Sequence, residues 1–134
     1  MGTDEAKALV RWYYQEVLNN RADDLLAELF AANFIIHPPD GSSISFDAFT
    51  GAIVWLRGVF PDYQLIVQDQ IAESDRVVTR WTATGTHLGA FHDIAPTGLQ
   101  VRLSGNHIDR LDGSKIVERW EQVDLAGMLE QLGA

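Results

Sequence analysis

The feature that most constrains this chain is a change of hydrophobic period. Up to about residue 60 the apolar side chains recur at helical spacing, and from residue 63 to 123 they alternate. A helix buries every third or fourth side chain and a strand every second, so the sequence reads as helices followed by strands. Thr3 is placed to cap a first helix with Asp4 and Glu5 in its first turn and Ala6, Leu9, Val10, Tyr13 and Val17 on its buried face. Asn19-Asn20 ends it. A short second helix turns Leu25, Leu26, Leu29 and Phe30 inward, and Phe34-Ile35-Ile36-His37 reads as a strand stopped by Pro38-Pro39-Asp40-Gly41. Ser45 caps a third helix bearing Phe46, Phe49, Ile53, Leu56 and Phe60, closed by Pro61-Asp62.

Residues 63–71, 76–87, 99–111 and 116–123 then read as strands rich in Val, Ile, Thr and Trp, with Asp112-Gly113-Ser114 as the last hairpin turn. A final helix begins at Asp124 and buries Leu125, Met128, Leu129 and Leu132. Helices gathered ahead of sequential strands predict an α+β fold, an antiparallel sheet covered by helices on one face. A curved sheet covered in that way encloses a cavity suited to a small molecule.

Composition narrows what such a cavity serves. The 134 residues fit one domain, 1–134, without repeats or linkers. Nineteen acidic against ten basic side chains give a net charge of −9, which disfavours nucleic acid and anionic membranes. No cysteine is present, which removes disulfides, thiol nucleophiles and Cys-ligated zinc. The acidic start, Met1-Gly2-Thr3-Asp4-Glu5, does not resemble a signal peptide, and no apolar run nears the ~20 residues of a membrane span. A cytoplasmic protein is the expectation. Nucleophile-elbow, P-loop and dinucleotide motifs are absent, and His37, His87, His92 and His107 lack metal-ligand spacing.

The candidate chemistry lies in polar residues set within apolar elements. Tyr14 borders the stripe of the first helix, where an amphipathic core tyrosine is the plainer reading. His37 ends a strand, as either a pocket group or an ordinary hydrogen-bonded histidine. Asn106, His107 and Asp109 follow Gly105, and a bulge there would decide which alternating set faces inward. Arg119 and Glu121 share one face of the last strand, Glu118 and Trp120 the other. Asp124 reads as a helix cap, and Arg76, Arg80 and Arg102 as cross-strand ion-pair partners on the exposed face. If His107 and Glu121 meet in an apolar cavity, burial raises the carboxyl pKa, and the pair can move a proton α to a carbonyl. Tyr14 or a histidine would then donate to the enolate oxygen, and no metal or organic cofactor is needed.

The stretch from Val78-Thr79-Arg80-Trp81 through Gly85-Thr86-His87-Leu88-Gly89-Ala90-Phe91 to Pro96-Thr97-Gly98 resembles the SnoaL-like polyketide cyclase family. So do Asp112-Gly113-Ser114-Lys115-Ile116-Val117-Glu118-Arg119-Trp120 and the ending from Asp124 to Leu129-Glu130-Gln131-Leu132-Gly133. The first half is similar more loosely. The resemblance implies the nuclear transport factor 2-like cone, a strongly curved antiparallel or mixed sheet wrapped by N-terminal helices around one internal pocket. It also implies a homodimer and cofactor-free intramolecular aldol condensation, with Glu121 where the cyclases carry an acid/base Asp and His107 as its partner. The ketosteroid isomerases, on the same fold, carry polar groups at the places of Tyr14, His37 and His107, and only the Tyr is kept. Limonene-epoxide hydrolases use an Asp-Arg-Asp trio for which Arg80 and Glu121 would stand, with Thr82 in place of the remaining Asp.

The expectation is a cofactor-free enzyme that enolises a small hydrophobic carbonyl compound. Its catalytic pair is Glu121 and His107, its orienting groups are Tyr14 and His37, and its apolar walls are Trp55, Trp81, Phe91 and Trp120. The alternatives are a non-catalytic module for ligand binding or dimerisation, and an epoxide hydrolase.

Overall fold

In the computed structural model, which describes residues 2–134 and leaves Met1 outside, helices lie against one face of a curved six-stranded sheet. The first helix, α1, covers Thr3–Trp12 and continues without a break as a π-helical segment, Tyr13–Asn19. Its cap is Gly2, in extended conformation, and not Thr3, which is already helical. The π segment matters more. An α-helix that buries Tyr13 turns the next residue off its face, but the wider π turn buries Tyr13, Tyr14, Val17 and Leu18 together. Tyr14 is thereby drawn fully inside, at 0% exposure.

A 3-10 turn at Asp23–Leu25 leads into α2, only Leu26–Leu29 long. Phe30 is not helical, as its spacing suggested, but opens strand β1, Phe30–His37. Two residues, Ile44–Ser45, form β2. Ser45 then caps α3, Phe46–Val59, its hydroxyl accepting from the Ala48 N–H at 3.2 Å. Strands β3 (Gln64–Glu73), β4 (Arg76–Thr86), β5 (Gln100–Asp112) and β6 (Lys115–Val123) follow within two residues of the expected bounds. Helix α4, Leu125–Gln131, ends the fold, with the Asp124 carboxylate accepting from the Gly127 N–H at 3.0 Å. It buries Met128 and Leu132 but leaves Leu125 46% exposed.

The strand order is β2-β1-β6-β5-β4-β3. The sheet is mixed, because β1 runs parallel to β6 while every other pair is antiparallel. Gly105 lies in regular pairing with Trp81 and Val123; the register shift between β5 and β6 comes at Val117, opposite the step from Arg110 to Leu111. Gly105 serves packing instead. A Cβ there would lie 2.6 Å from Cζ2 of Trp81, so its absence gives the indole its place on the inner face.

Two apolar clusters result. The larger joins the first helix, α3 and the inner faces of β1, β3 and β4, and includes the aromatics Tyr13, Phe30, Phe34 and Phe49, packed edge-on or tilted against one another. Fully buried rings of this size dominate core energetics, at about 1.5–3 kcal/mol for each large side chain. The smaller packs Val59, Phe60, Phe91 and Val101 against α4. On the outer face Arg80 pairs with Asp69 across the strands at 3.0 Å, as expected. Arg76 instead lies over the Trp120 ring, 4.7 Å from its centroid, and Arg102 meets Gln131 of α4 through its backbone. No helix of the described residues is long and apolar enough to cross a membrane.

Candidate active site

The inner face of the sheet carries two polar rows within an apolar wall. In the first, Thr79, His107 and Glu121 stand directly opposite one another on β4, β5 and β6. In the second, two residues along, Val77, Asp109 and Arg119 do the same. The bulge at Val117, opposite the step from Arg110 to Leu111, produces this alignment. The hairpin begins with Asp112 opposite Lys115, a register that would set His107 against Trp120; one extra residue on β6, Val117, sets it against Glu121.

A hydrogen-bonded chain runs through the first row. The Tyr14 hydroxyl meets His107 Nδ1 at 2.6 Å, and His107 Nε2 meets Glu121 Oε1 at 3.3 Å. Burial pushes the Tyr14 phenol well above its ordinary pKa, so it stays protonated and donates to Nδ1. The ring proton of neutral His107 therefore sits on Nε2 and points at Glu121. Burial first, and the Arg119 charge second, lower the His107 pKa below its usual 6.5, which keeps the imidazole neutral. Glu121 differs from the expectation of a raised pKa. Burial does raise it, but the hydrogen bond from His107 and the Arg119 charge act against this, and it lies below the usual carboxylate value. The resting state at neutral pH is an ionised Glu121 beside a neutral His107.

The second row holds a fully buried ion pair. Arg119 Nε and Nη2 donate to the two Asp109 oxygens at 2.7 and 3.3 Å, with the side chains 1% and 0% exposed. The rings of Tyr13, Tyr14, Phe30 and Phe49 surround the guanidinium at 5.0–5.9 Å.

Both rows border a cavity of about 210 Å³. Its lining is mostly apolar, with Ile36, Phe49, Ile53, Leu65, Trp81 and Leu103 among the walls, and Tyr63, His107, Arg119 and Glu121 as polar members. Trp55, 42% exposed, stands on the lining at its outer edge. Among the residues expected here, Glu121, His107, Trp55 and Trp81 are on the lining. Tyr14 touches His107 from behind and does not line the cavity.

His37, Phe91 and Trp120 lie elsewhere. His37 follows the inward Ile36 on β1 and so faces out, where it stacks on Trp120 at 5.4 Å and bonds Glu118 at 2.7 Å. Trp120 alternates with the inward Arg119 and Glu121. Phe91 is buried in the smaller cluster, where it packs on Trp55 at 5.4 Å. Arg80, needed for the epoxide-hydrolase trio, is on the outer face. Sequence reasoning did not assign Tyr63 or Arg119 to the cavity, nor Asp109 as the partner that holds Arg119 there. The available signal was an Asp and an Arg two residues from His107 and Glu121, hence on the same face.

A larger groove of about 470 Å³, lined by Arg80, Asn106 and Gln122 among others, opens on the outer face. It contains no buried titratable group, so the inner cavity is the candidate site. Among the described residues, no three His, Asp or Glu side chains converge as a metal-ligand set.

Comparison with known proteins agrees with this architecture. The family model described as SnoaL-like polyketide cyclase matches residues 8–132. AclR from Streptomyces galilaeus, a proposed hydroxylase, superposes with a TM-score of 0.90 at 27% identity, covering 98% of this chain and 87% of that one. IdmH from Streptomyces antibioticus, a proposed polyketide cyclase, gives 0.86 at 30% identity over 96% and 99%. A proposed polyketide cyclase from Acidithiobacillus ferrooxidans gives 0.85 at 26% identity over 96% and 94%. No curated protein matches. With the family model spanning nearly the whole sequence and the curved mixed sheet in common, the chain belongs to the SnoaL-like polyketide cyclase family.

Proposed function

We propose that this protein is a cofactor-free enzyme that enolises a small hydrophobic carbonyl compound, in a ring-closing aldol reaction or an isomerisation. The observation that carries the reading is the Tyr14–His107–Glu121 chain ending at an apolar cavity. Glu121 takes the proton from the carbon α to the carbonyl, and the C–H electron pair becomes the enolate. In ring closure that carbon bonds to a second carbonyl of the same molecule, and the new alkoxide recovers the proton from Glu121. His107, fixed by Tyr14 with its N–H toward Glu121, holds the carboxylate in place. Trp55 and Trp81 supply apolar wall, and His37 acts only as a structural partner of Glu118 and Trp120.

The cavity lies below the roughly 300–1,000 Å³ of pockets for drug-sized ligands, so the buried part of the substrate is compact. A single domain working in the cytoplasm belongs to the same proposal. So does a homodimer, for which the outer-face row of Ile71, Val78, Ile108 and Trp120 offers apolar surface.

The test is ring closure of an aromatic β-keto ester bearing a pendant ketone, followed as conversion to an isomer of unchanged mass. Wild type should accelerate it, and Glu121→Gln, which keeps shape and removes the titrating group, should not. Tight binding without conversion by either protein would favour the non-catalytic binding module.

A further inference from the structure

We propose that Arg119 is the oxyanion-binding catalytic residue of this cavity, and that its substrates are 1,3-dicarbonyl compounds whose shared enolate lies against the guanidinium; this rests on Glu121 acting as the base. A buried Arg–Asp pair is an expensive way to fill a core, since apolar residues of similar volume commonly serve as well or better. Here Arg119 is on the cavity lining, one row from the acid/base chain, with Asp109 behind it. Asp109 engages Nε and Nη2 of Arg119 and does not engage Nη1. Arg119 lines the cavity, and so does Tyr13, whose hydroxyl the guanidinium approaches, which brings the guanidinium within reach of a ligand there.

The electrostatics select a substrate that arrives neutral and becomes anionic on the enzyme. Ionised Glu121, Asp109 and Arg119 leave the resting site with one net negative charge while His107 is neutral, which repels a preformed anion. When Glu121 takes the α-proton it becomes neutral, and the negative charge passes to the substrate oxygen within reach of the guanidinium. Stabilisation then grows as the reaction proceeds, the condition for lowering a barrier. The hydroxyl of Tyr63, which burial keeps protonated, is a second donor on the lining. The low pKa of Glu121 points the same way. A weak base removes a proton readily only from a carbon whose acidity approaches its own, and two flanking carbonyls supply that acidity.

The test uses benzoylacetone, a compact 1,3-diketone whose enol and enolate differ in ultraviolet absorbance, bound to Glu121→Gln protein so that no turnover intervenes. The enol–enolate midpoint of the bound probe should lie at least about one pH unit below that of the free probe, a tenfold gain in enolate at a given pH. The shift should vanish when Arg119→Met and Asp109→Leu are added together, a pairing that avoids stranding a buried charge. An unshifted midpoint in Glu121→Gln, or a shift that survives in the triple variant, overturns the assignment. Failure of the probe to bind overturns it too. An unshifted midpoint combined with loss of turnover in Glu121→Gln refutes Arg119 and keeps Glu121. A shifted midpoint with turnover intact keeps Arg119 and refutes Glu121.

Discussion

Tyr14→Phe isolates the link on which the orientation of His107 depends. The substitution removes one oxygen and keeps a ring that fits the same space between Tyr13 and His107. What is lost is a 2.6 Å hydrogen bond between fully buried groups, and Nδ1 is left without its donor. An unsatisfied buried acceptor costs about 1–3 kcal/mol, so urea denaturation should show a loss in that range with an unchanged m value. The effect on activity has a separate origin. Without Tyr14 only the 3.3 Å contact with the Glu121 carboxylate holds the proton on Nε2, and the tautomer that points a lone pair at Glu121 gains population. Loss of this positioning should lower activity roughly 10–100-fold, the scale known for partners that orient a metal-bound histidine. Nitrogen-15 NMR of His107 reads the tautomer directly, as Nε2–H in wild type and a mixture in the variant. If Tyr14→Phe keeps the Nε2–H signature and full activity, the hydroxyl does not set the tautomer and the reasoning fails.

Other perturbations separate the parts of the site. Arg119→Met alone strands Asp109 in the core and should cost about 3–5 kcal/mol by denaturant titration, while Arg119→Met with Asp109→Leu should recover most of it. Gly105→Ala places a methyl against the Trp81 ring and should cost about 1–3 kcal/mol, with a shift in tryptophan emission and a raised KM as the indole moves into the cavity. His37→Ala should leave kcat/KM within about twofold, because its partners Glu118 and Trp120 face away from the cavity. His107 is lowered from 6.5, so the unfolded chain binds its proton first as pH falls. Its contribution to stability is complete above pH 6.5 and is lost as pH falls toward the lowered value. His107→Asn should therefore flatten the Tm–pH curve in that window.

The fold was largely legible because the period change at residues 60–63 is strong and most turn residues punctuate it. The departures share a cause in geometry that spacing does not encode. Phe30 satisfies the helical pattern of its neighbours, but its ring packs with Tyr13 and Phe34, and the chain is already extended there. The π turn that buries Tyr14 leaves no mark in an apolar count, since Tyr13, Val17 and Leu18 fit either helix. Gly105 offered itself as a bulge, yet the bulge that sets the site is at Val117 of β6, opposite the step from Arg110 to Leu111, and a valine does not signal one. Strict hairpin counting would have put His107 opposite Trp120; the resemblance, not the spacing, joined it to Glu121. The same parity places Asp109 and Arg119 inside. Their faces were noted but no role was assigned to them, because an ion pair sealed in a core is rare.

The most direct measurement of the central claim is deuterium wash-in at the α-carbon of a bound 2-substituted 1,3-diketone in heavy water, comparing wild type with Glu121→Gln. Acid–base catalysis by a positioned carboxylate is worth about 10²–10⁴-fold, so exchange at the enzyme should fall by that factor in the variant while its circular dichroism and Tm hold. Equal wash-in by both folded proteins would show that the proton leaves by another route and that Glu121 is not the base.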